Sequence, residues 1–325
     1  MEKKNRLWIS IVVIATLLIS SFATILLSSP EASALKANYQ DGSSAPPTAI
    51  PGVTFTGKYI QIGLNKGGTF GWGNRTDPGT GFQFPIGPQH ESLAIYWWGE
   101  GYVFFYKVQD ASGQWVDNVA YWWPELGWPI PAACNLKYVN SAVRRDDHQG
   151  AIFVATLRTL DDLLEFRFRF WFPKEQKYVI MDTVVTNIGK RTVRDILYKR
   201  IVDWDIHQDT YNLWTSDSHS AYAHYLNQSL GMNIEMSVTG YGTPLFGPSN
   251  LPAYTDLYAW DDATLTPPMR DPGRYDVQSH EDSLSFDGAA AIYFDMGQLG
   301  PTHNKKVALV YQAGWYDPGW VLPEG

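Results

Sequence analysis

The chain of 325 residues holds a single cysteine, Cys134. An internal disulfide is therefore excluded, and stability must come from core burial, with Cys134 either a buried inert thiol or paired between chains. Charge is scarce as well: 18% of residues are charged, and the net charge of -8 is spread along the chain without a basic block. That excludes nucleic acid as a partner, because phosphate recognition needs clustered Lys and Arg; the acidity serves solubility. No apolar pattern of helical period lasts three turns, so few or no long helices are expected. Chemical signatures are missing too. The seven histidines form no H-E-x-x-H or Cys/His ligand spacing, and His219 and His224, five apart, would point to opposite faces of a strand. There is no G-x-S-x-G elbow, and the glycines of KGGTFGWGN lack the G-x-x-x-x-G-K order of a phosphate loop.

What abounds is aromatic side chains (Trp 14, Tyr 19, Phe 15) together with Gly 28 and Pro 20. This is the composition of a turn-rich β protein, not of a coiled coil or a disordered chain. The clearest stretch covers residues 151–207, four apolar runs joined by short polar connections. In the second run Phe166, Phe168, Phe170 and Phe172 alternate with Glu165, Arg167, Arg169 and Trp171. A period of two sends the phenylalanines to one sheet face. The third run is β-branched, which suits a pleated, half-buried surface. Four strands with tight connections predict an antiparallel meander. Further strands are expected near residues 59–64, 95–108, 115–128, 213–225, 231–242, 289–296 and 306–313, whereas the six prolines of residues 242–274 predict long loops. The fold class is thus all-β, a large antiparallel β-sandwich.

Residues 2–6 are basic, residues 7–27 are apolar and uncharged, and Ala32-Ser33-Ala34 suits a signal peptidase. Residues 1–34 are read as a signal peptide or signal anchor, since about 20 apolar residues also span a bilayer. Residues 35–52 form a Gly/Ser/Pro-rich flexible linker, and residues 53–325 a single β-sandwich domain. The expected location is extracellular or on the outer face of the cell membrane, with membrane contact only through the N-terminal segment.

Three groups of residues could carry chemistry. In VDWDIHQD, Asp203, Asp205 and His207 would share a strand face, with Asp209 beyond. Carboxylates two residues apart on a strand stand about 6.6 Å apart, compatible with paired glycosidase acids. Asp203, Asp205 and Asp209 could equally hold calcium, or the first two could pair with Arg194, Lys199 or Arg200. In WWGEGY, Glu100 lies among Trp97, Trp98 and Tyr102. Indoles would desolvate the carboxyl and raise its pKa as an acid catalyst requires; alternatively Glu100 sits in a solvated Gly-Glu-Gly turn. Trp97, Trp98, Tyr102 and Trp204 are candidate sugar-stacking surfaces. Asn74 and Asn227 match the N-glycosylation pattern.

The run LEFRFRFWFPKEQKYVIMDTVVTNIGKRTVRD, with its strand ending in V-T-N-x-G, resembles the strand succession of galactose-mutarotase-like supersandwich domains. That resemblance implies a supersandwich-like fold. It does not extend to the family's H-x-Y-F-N segment, for ILYKRIVDWD stands there and His224-Tyr225-Leu226-Asn227 comes much later. No catalytic residue is carried over. The motifs at residues 98–102 and 198–205 are similar to W-G-E-G and Y-R-R-V-x-D-W-D-like motifs of exported bacterial and archaeal proteins of unassigned function. The leading expectation is a non-catalytic cell-surface or extracellular module, binding a polysaccharide or cell-envelope glycan, with no cofactor other than calcium in prospect. The alternatives are a carbohydrate-active enzyme, mutarotase-like or glycoside-processing, with Asp203, Asp205, Glu100 or His207 as acid and base, and a self-associating surface-layer or filament subunit.

Overall fold

The structure is a computed structural model describing residues 52–72, 79–93, 99–122, 134–206, 211–216, 219–227, 232–241, 253–259 and 284–315. The described residues form strands β1 (Gly52–Thr56), β2 (Gln61–Asn65), β3 (Phe82–Gln83), β4 (Glu100–Gln109), β5 (Trp115–Trp122), β6 (Leu136–Asp146), β7 (Ala151–Thr159) and β8 (Leu164–Phe172). They continue with β9 (Tyr178–Asn187), β10 (Val193–Asp203), β11 (Tyr211–Ser216), β12 (Ser220–Asn227), β13 (Met232–Tyr241), β14 (Ala253–Ala259), β15 (Leu284–Leu299) and β16 (Asn304–Trp315). Among these residues helical structure is limited to one 3₁₀ turn, Pro88–His90.

Two antiparallel layers result. One runs β5-β4-β10-β15-β14, the other β11-β12-β13-β16-β9-β8-β7-β6. β15 belongs to both: its residues 284–287 pair with β11 and its later residues with β10 and β14. A small sheet, β1-β2-β3, stands apart from these pairings. The fold is the expected antiparallel β-sandwich.

The alternation seen in the sequence sets the core. Phe166, Phe168, Phe170 and Phe172 are buried, and Arg167 between them is exposed. Phe166 stacks on Phe104 of the opposite layer (3.9 Å between centroids, 12°), and Phe104 stacks in turn on Tyr198 (4.4 Å, 8°). β4 and β10 carry apolar residues on their other face as well, where Val103, Phe105, Leu197 and Ile201 form a second cluster with Ala289, Ala291 and Tyr293. That explains why β10 reads as a nearly continuous apolar run rather than an alternating one.

The meander is corrected in one respect. β7, β8 and β9 are hairpin neighbours, but the fourth run, β10, pairs with β4 and β15 in the other layer. The edge of β9 is already taken by β16. Asn187, the asparagine of V-T-N-x-G, anchors the crossing: its amide donates to Arg191 O (2.8 Å) and Leu299 O (2.9 Å), and its side-chain oxygen accepts from Gly189 N (3.0 Å). Two further expectations shift: β6 was not anticipated as a strand, and β14 lies within the region expected to be loops. The strands expected in residues 213–225 are β11 and β12, which form a hairpin. Cys134 is half-buried and bridges to Trp122; burial pushes its thiol up to about 11, so it stays protonated at neutral pH.

Because Phe104 links both layers by stacking, Phe104→Ala is expected to destabilise the fold by about 3–5 kcal/mol, measured as a shift in the denaturant midpoint.

Candidate functional site

Glu100, at the start of β4, is fully buried. Its carboxylate receives Arg200 Nε (2.8 Å) and Arg200 Nη2 (2.8 Å), the backbone N–H of Phe70 (2.7 Å) and the hydroxyl of Tyr311. Arg200 Nη2 also donates to Gly68 O (2.8 Å), and Tyr102 OH donates to Gly67 O (2.9 Å). Gly68 has φ +73, and a Cβ there would meet Phe168 at 2.6 Å, so only glycine brings this turn so close to the sheet. Burial and the carboxylate together hold the Tyr311 phenol well above its ordinary value, and the charge of Glu100 holds the Arg200 guanidinium protonated. Glu100 is therefore neither a solvated turn residue nor a carboxyl open to a ligand: its oxygens are saturated inside the sandwich, tying three strands to the loop at residues 67–70.

The stacking candidates are corrected similarly. Tyr102 and Trp204 are wholly buried, because their positions on β4 and at the end of β10 aim them into the core. Trp204 packs edge-on against Phe82 (5.6 Å) and Tyr311 (6.4 Å), which leaves no ring face for a sugar. Asp203 and Asp205 are buried where β10 ends; their backbone N–H groups bond Gly99 O (2.6 Å) and Ser92 O (3.1 Å). The strand stops at Asp203, so the regular alternation expected to align Asp203, Asp205 and His207 does not continue. Trp97, Trp98, His207, Asp209 and Asn74 lie outside the described residues, as does the side chain of Asn227. Among the described residues no group of three or more His, Cys, Asp or Glu is arranged to hold a metal ion.

A different constellation lies on the outer face of the eight-stranded layer. The register sets Leu213 opposite His224, His224 opposite Glu235, and Glu235 opposite Gly314. His224 Nδ1 is 3.4 Å from Glu235 Oε2, and His224 Nε2 is 3.1 Å from Thr215 Oγ1. The His224 side chain is 7% exposed, whereas the Glu235 side chain is 32% exposed. Among the described residues nothing lies within 4 Å of a Cβ built at Gly314, so none of them covers the face there beside the carboxyl. Burial moves the two groups in opposite directions. It lowers His224 to about 4 and raises Glu235 above the ordinary carboxyl value, leaving a neutral imidazole beside a carboxyl that holds its proton more tightly. The next row on this face is Thr215, Tyr222, Ser237, Gln312 and Tyr178, and Trp171 meets Tyr178 edge-on at 6.4 Å. Phenol, hydroxyl and amide groups thus sit beside an acid–base pair. In the sequence His224 stands out only by its spacing from His219 and by the segment His224-Tyr225-Leu226-Asn227, and nothing singles out Glu235. Their residue numbers differ by eleven, and only the β12–β13 register makes them neighbours.

No family model matches the sequence, and no curated protein does. Solved structures are similar at low identity. A bacterial glucoamylase complexed with acarbose aligns with TM-score 0.49 and 10% identity, over 89% of this chain and 36% of the glucoamylase. The GalM/aldose epimerase homologue from C. elegans aligns with TM-score 0.37 and 8% identity, over 83% of this chain and 100% of that one. The Slr1438 protein from Synechocystis sp. aligns with TM-score 0.37 and 8% identity, over 86% and 100%. The chain spans little more than a third of the glucoamylase. The expectation was of a non-catalytic module, whereas the glucoamylase and the aldose epimerase homologue are named for enzymes. At these identities the likeness transfers no residue role.

Two outcomes follow from this geometry. Glu100→Gln, which leaves Arg200 buried without its counter-charge, is expected to cost about 3–5 kcal/mol, and Glu100→Leu combined with Arg200→Met to cost less, by equilibrium unfolding. His224 titrates near 4 when folded against 6.5 in its ordinary state. Its contribution to stability is therefore complete above pH 6.5 and lost as pH falls towards 4, about 3 kcal/mol in all. Unfolding free energies at pH 7 and pH 4 should differ by that much more in wild type than in His224→Gln.

Proposed function

We propose that the protein is an exported carbohydrate-active enzyme of mutarotase-like type, in which Glu235 meets the sugar and His224 and Thr215 complete the proton path. One observation carries this reading: the contact of His224 with Glu235, oppositely displaced in acidity, on an open sheet face. Interconverting the anomers of a cyclic sugar requires a proton for the ring oxygen and removal of one from the anomeric hydroxyl. Glu235, protonated more readily than an ordinary carboxyl, supplies the first. Thr215 takes the second while passing its own proton to His224 Nε2. The bond between C1 and the ring oxygen breaks, C1 becomes a carbonyl, and closure on its other face reverses both transfers. No proton is consumed overall, and neither redox chemistry nor a nucleophile is needed. Groups with separated acidities suit such a two-proton step.

Carbohydrate as the substrate class is supported by the adjacent row of Tyr222, Ser237, Gln312 and Tyr178, which offers hydroxyl and amide partners beside aromatic rings. It is also the class named by the similar glucoamylase and aldose epimerase structures. An extracellular location is supported by the basic residues, apolar run and Ala32-Ser33-Ala34 of the N-terminal segment.

Anomeric exchange of a panel of aldoses, followed by NMR magnetisation transfer, should be accelerated by wild type. Glu235→Gln should lose about 100-fold or more in kcat with its unfolding midpoint retained. Uncatalysed rates across the panel, or full activity in Glu235→Gln, would reject the assignment.

A further inference from the structure

At the end of the sandwich where β16 finishes, an aromatic platform lies outside the acid–base site. Trp315 is 54% exposed and Tyr59, in the turn between β1 and β2, is 37% exposed. Trp315 leans on the buried ring of Phe84 (5.1 Å, 54°). The Lys177 ammonium lies over both Tyr59 (5.4 Å) and Phe84 (5.5 Å), and that of Lys58 lies over Tyr59 (5.2 Å). Of the two lysines, Lys58 has a carboxylate partner, Glu175 at 3.4 Å, with both side chains well exposed. Such an exposed pair contributes little and is easily exchanged for another anion. The backbone beneath is held in place. Lys58 N donates to Lys174 O (2.7 Å), Gly57 N to Ile60 O (3.0 Å), and Ala313 N to Lys177 O (2.9 Å).

Aromatic rings left partly in water beside ammonium groups offer an amphipathic ligand stacking faces and charge at one place. A sugar ring offers apolar C–H faces to indole and phenol, and a negative substituent on it offers a counter-ion to Lys177 and Lys58. On a chain of net charge -8, Lys177 and Lys58 against the one carboxylate of Glu175 leave the groups named here with a net positive charge, which favours an anionic ligand. Strand alternation keeps the platform separate from the proposed active centre: Trp315 is opposite the buried Ile234, on the sheet face away from Gly314 and Glu235.

We infer that Trp315, Tyr59, Lys177 and Lys58 form a docking subsite for an anionic polysaccharide at the end of β16. This rests on the reading above only for the carbohydrate class. The test is binding, so that the two can fail separately. Affinity gel electrophoresis of the full chain would use polygalacturonate, dextran sulfate and uncharged dextran. Wild type should be retarded by at least one anionic polymer and much less by dextran. Trp315→Ala and Lys177→Gln should each weaken that retardation about tenfold, with unfolding midpoints and turnover of small aldoses unchanged, while Glu235→Gln should bind as wild type does. No retardation by either anionic polymer, equal retardation by dextran, or undiminished binding in both platform variants would overturn the inference. Loss of binding in Glu235→Gln alone would do the same, by moving the ligand to the acid–base site.

Discussion

A carboxylate and a guanidinium sealed between two β layers must satisfy each other almost completely, and in this protein Glu100 and Arg200 do so with help from Phe70, Gly68 and Tyr311. Each charge would be costly there alone. Together they impose geometry. Glu100 orients the start of β4, Arg200 the middle of β10, Tyr311 the β16 strand of the opposite layer, and the loop at residues 67–70 closes over them. Around this polar centre the aromatic stack of Phe166, Phe104 and Tyr198 supplies the apolar contact between the layers. Directional bonds set how the layers meet, and ring burial provides most of the stabilisation.

The same architecture separates the scaffold from the surface on which chemistry is proposed. β10 and β4 are buried on both faces, so polar groups on them are drawn into the interior. The outer face of β11, β12, β13 and β16 is different. It keeps His224 nearly buried yet leaves Glu235 partly open beside Gly314. A sheet of four strands joined by three consecutive antiparallel pairings holds such a pair in place better than a loop would. Of the proposed docking platform only Trp315 belongs to these strands, at the end of β16, and it faces the other side of the sheet from Glu235.

Most of the layer structure was legible along the chain. Alternation in residues 164–172 identified the buried phenylalanines, and β-branched density identified β9. The V-T-N-x-G ending marked a turn but not its destination. β10 looked like a fourth meander strand because local pattern carries no information about β16, 117 residues after Asn187, occupying the edge of β9. β14 was hidden for another reason: the prolines that surround it in residues 242–274 resemble loop, and only pairing with β15 marks the seven residues between them as a strand.

Composition and periodicity by themselves determined that this chain is an antiparallel β-sandwich without internal disulfides, since a period of two and a cysteine count are local properties. Which carboxylates are sealed and which are open was decided only by tertiary structure. Glu100 beside tryptophans and Asp203 beside Asp205 looked like chemistry, but burial depends on how two sheets face one another. His224 and Glu235 looked unrelated, and strand register brought them within 3.4 Å. Register is a property of paired strands, so the pairing of an acid with a base across a hairpin cannot be read from either strand alone.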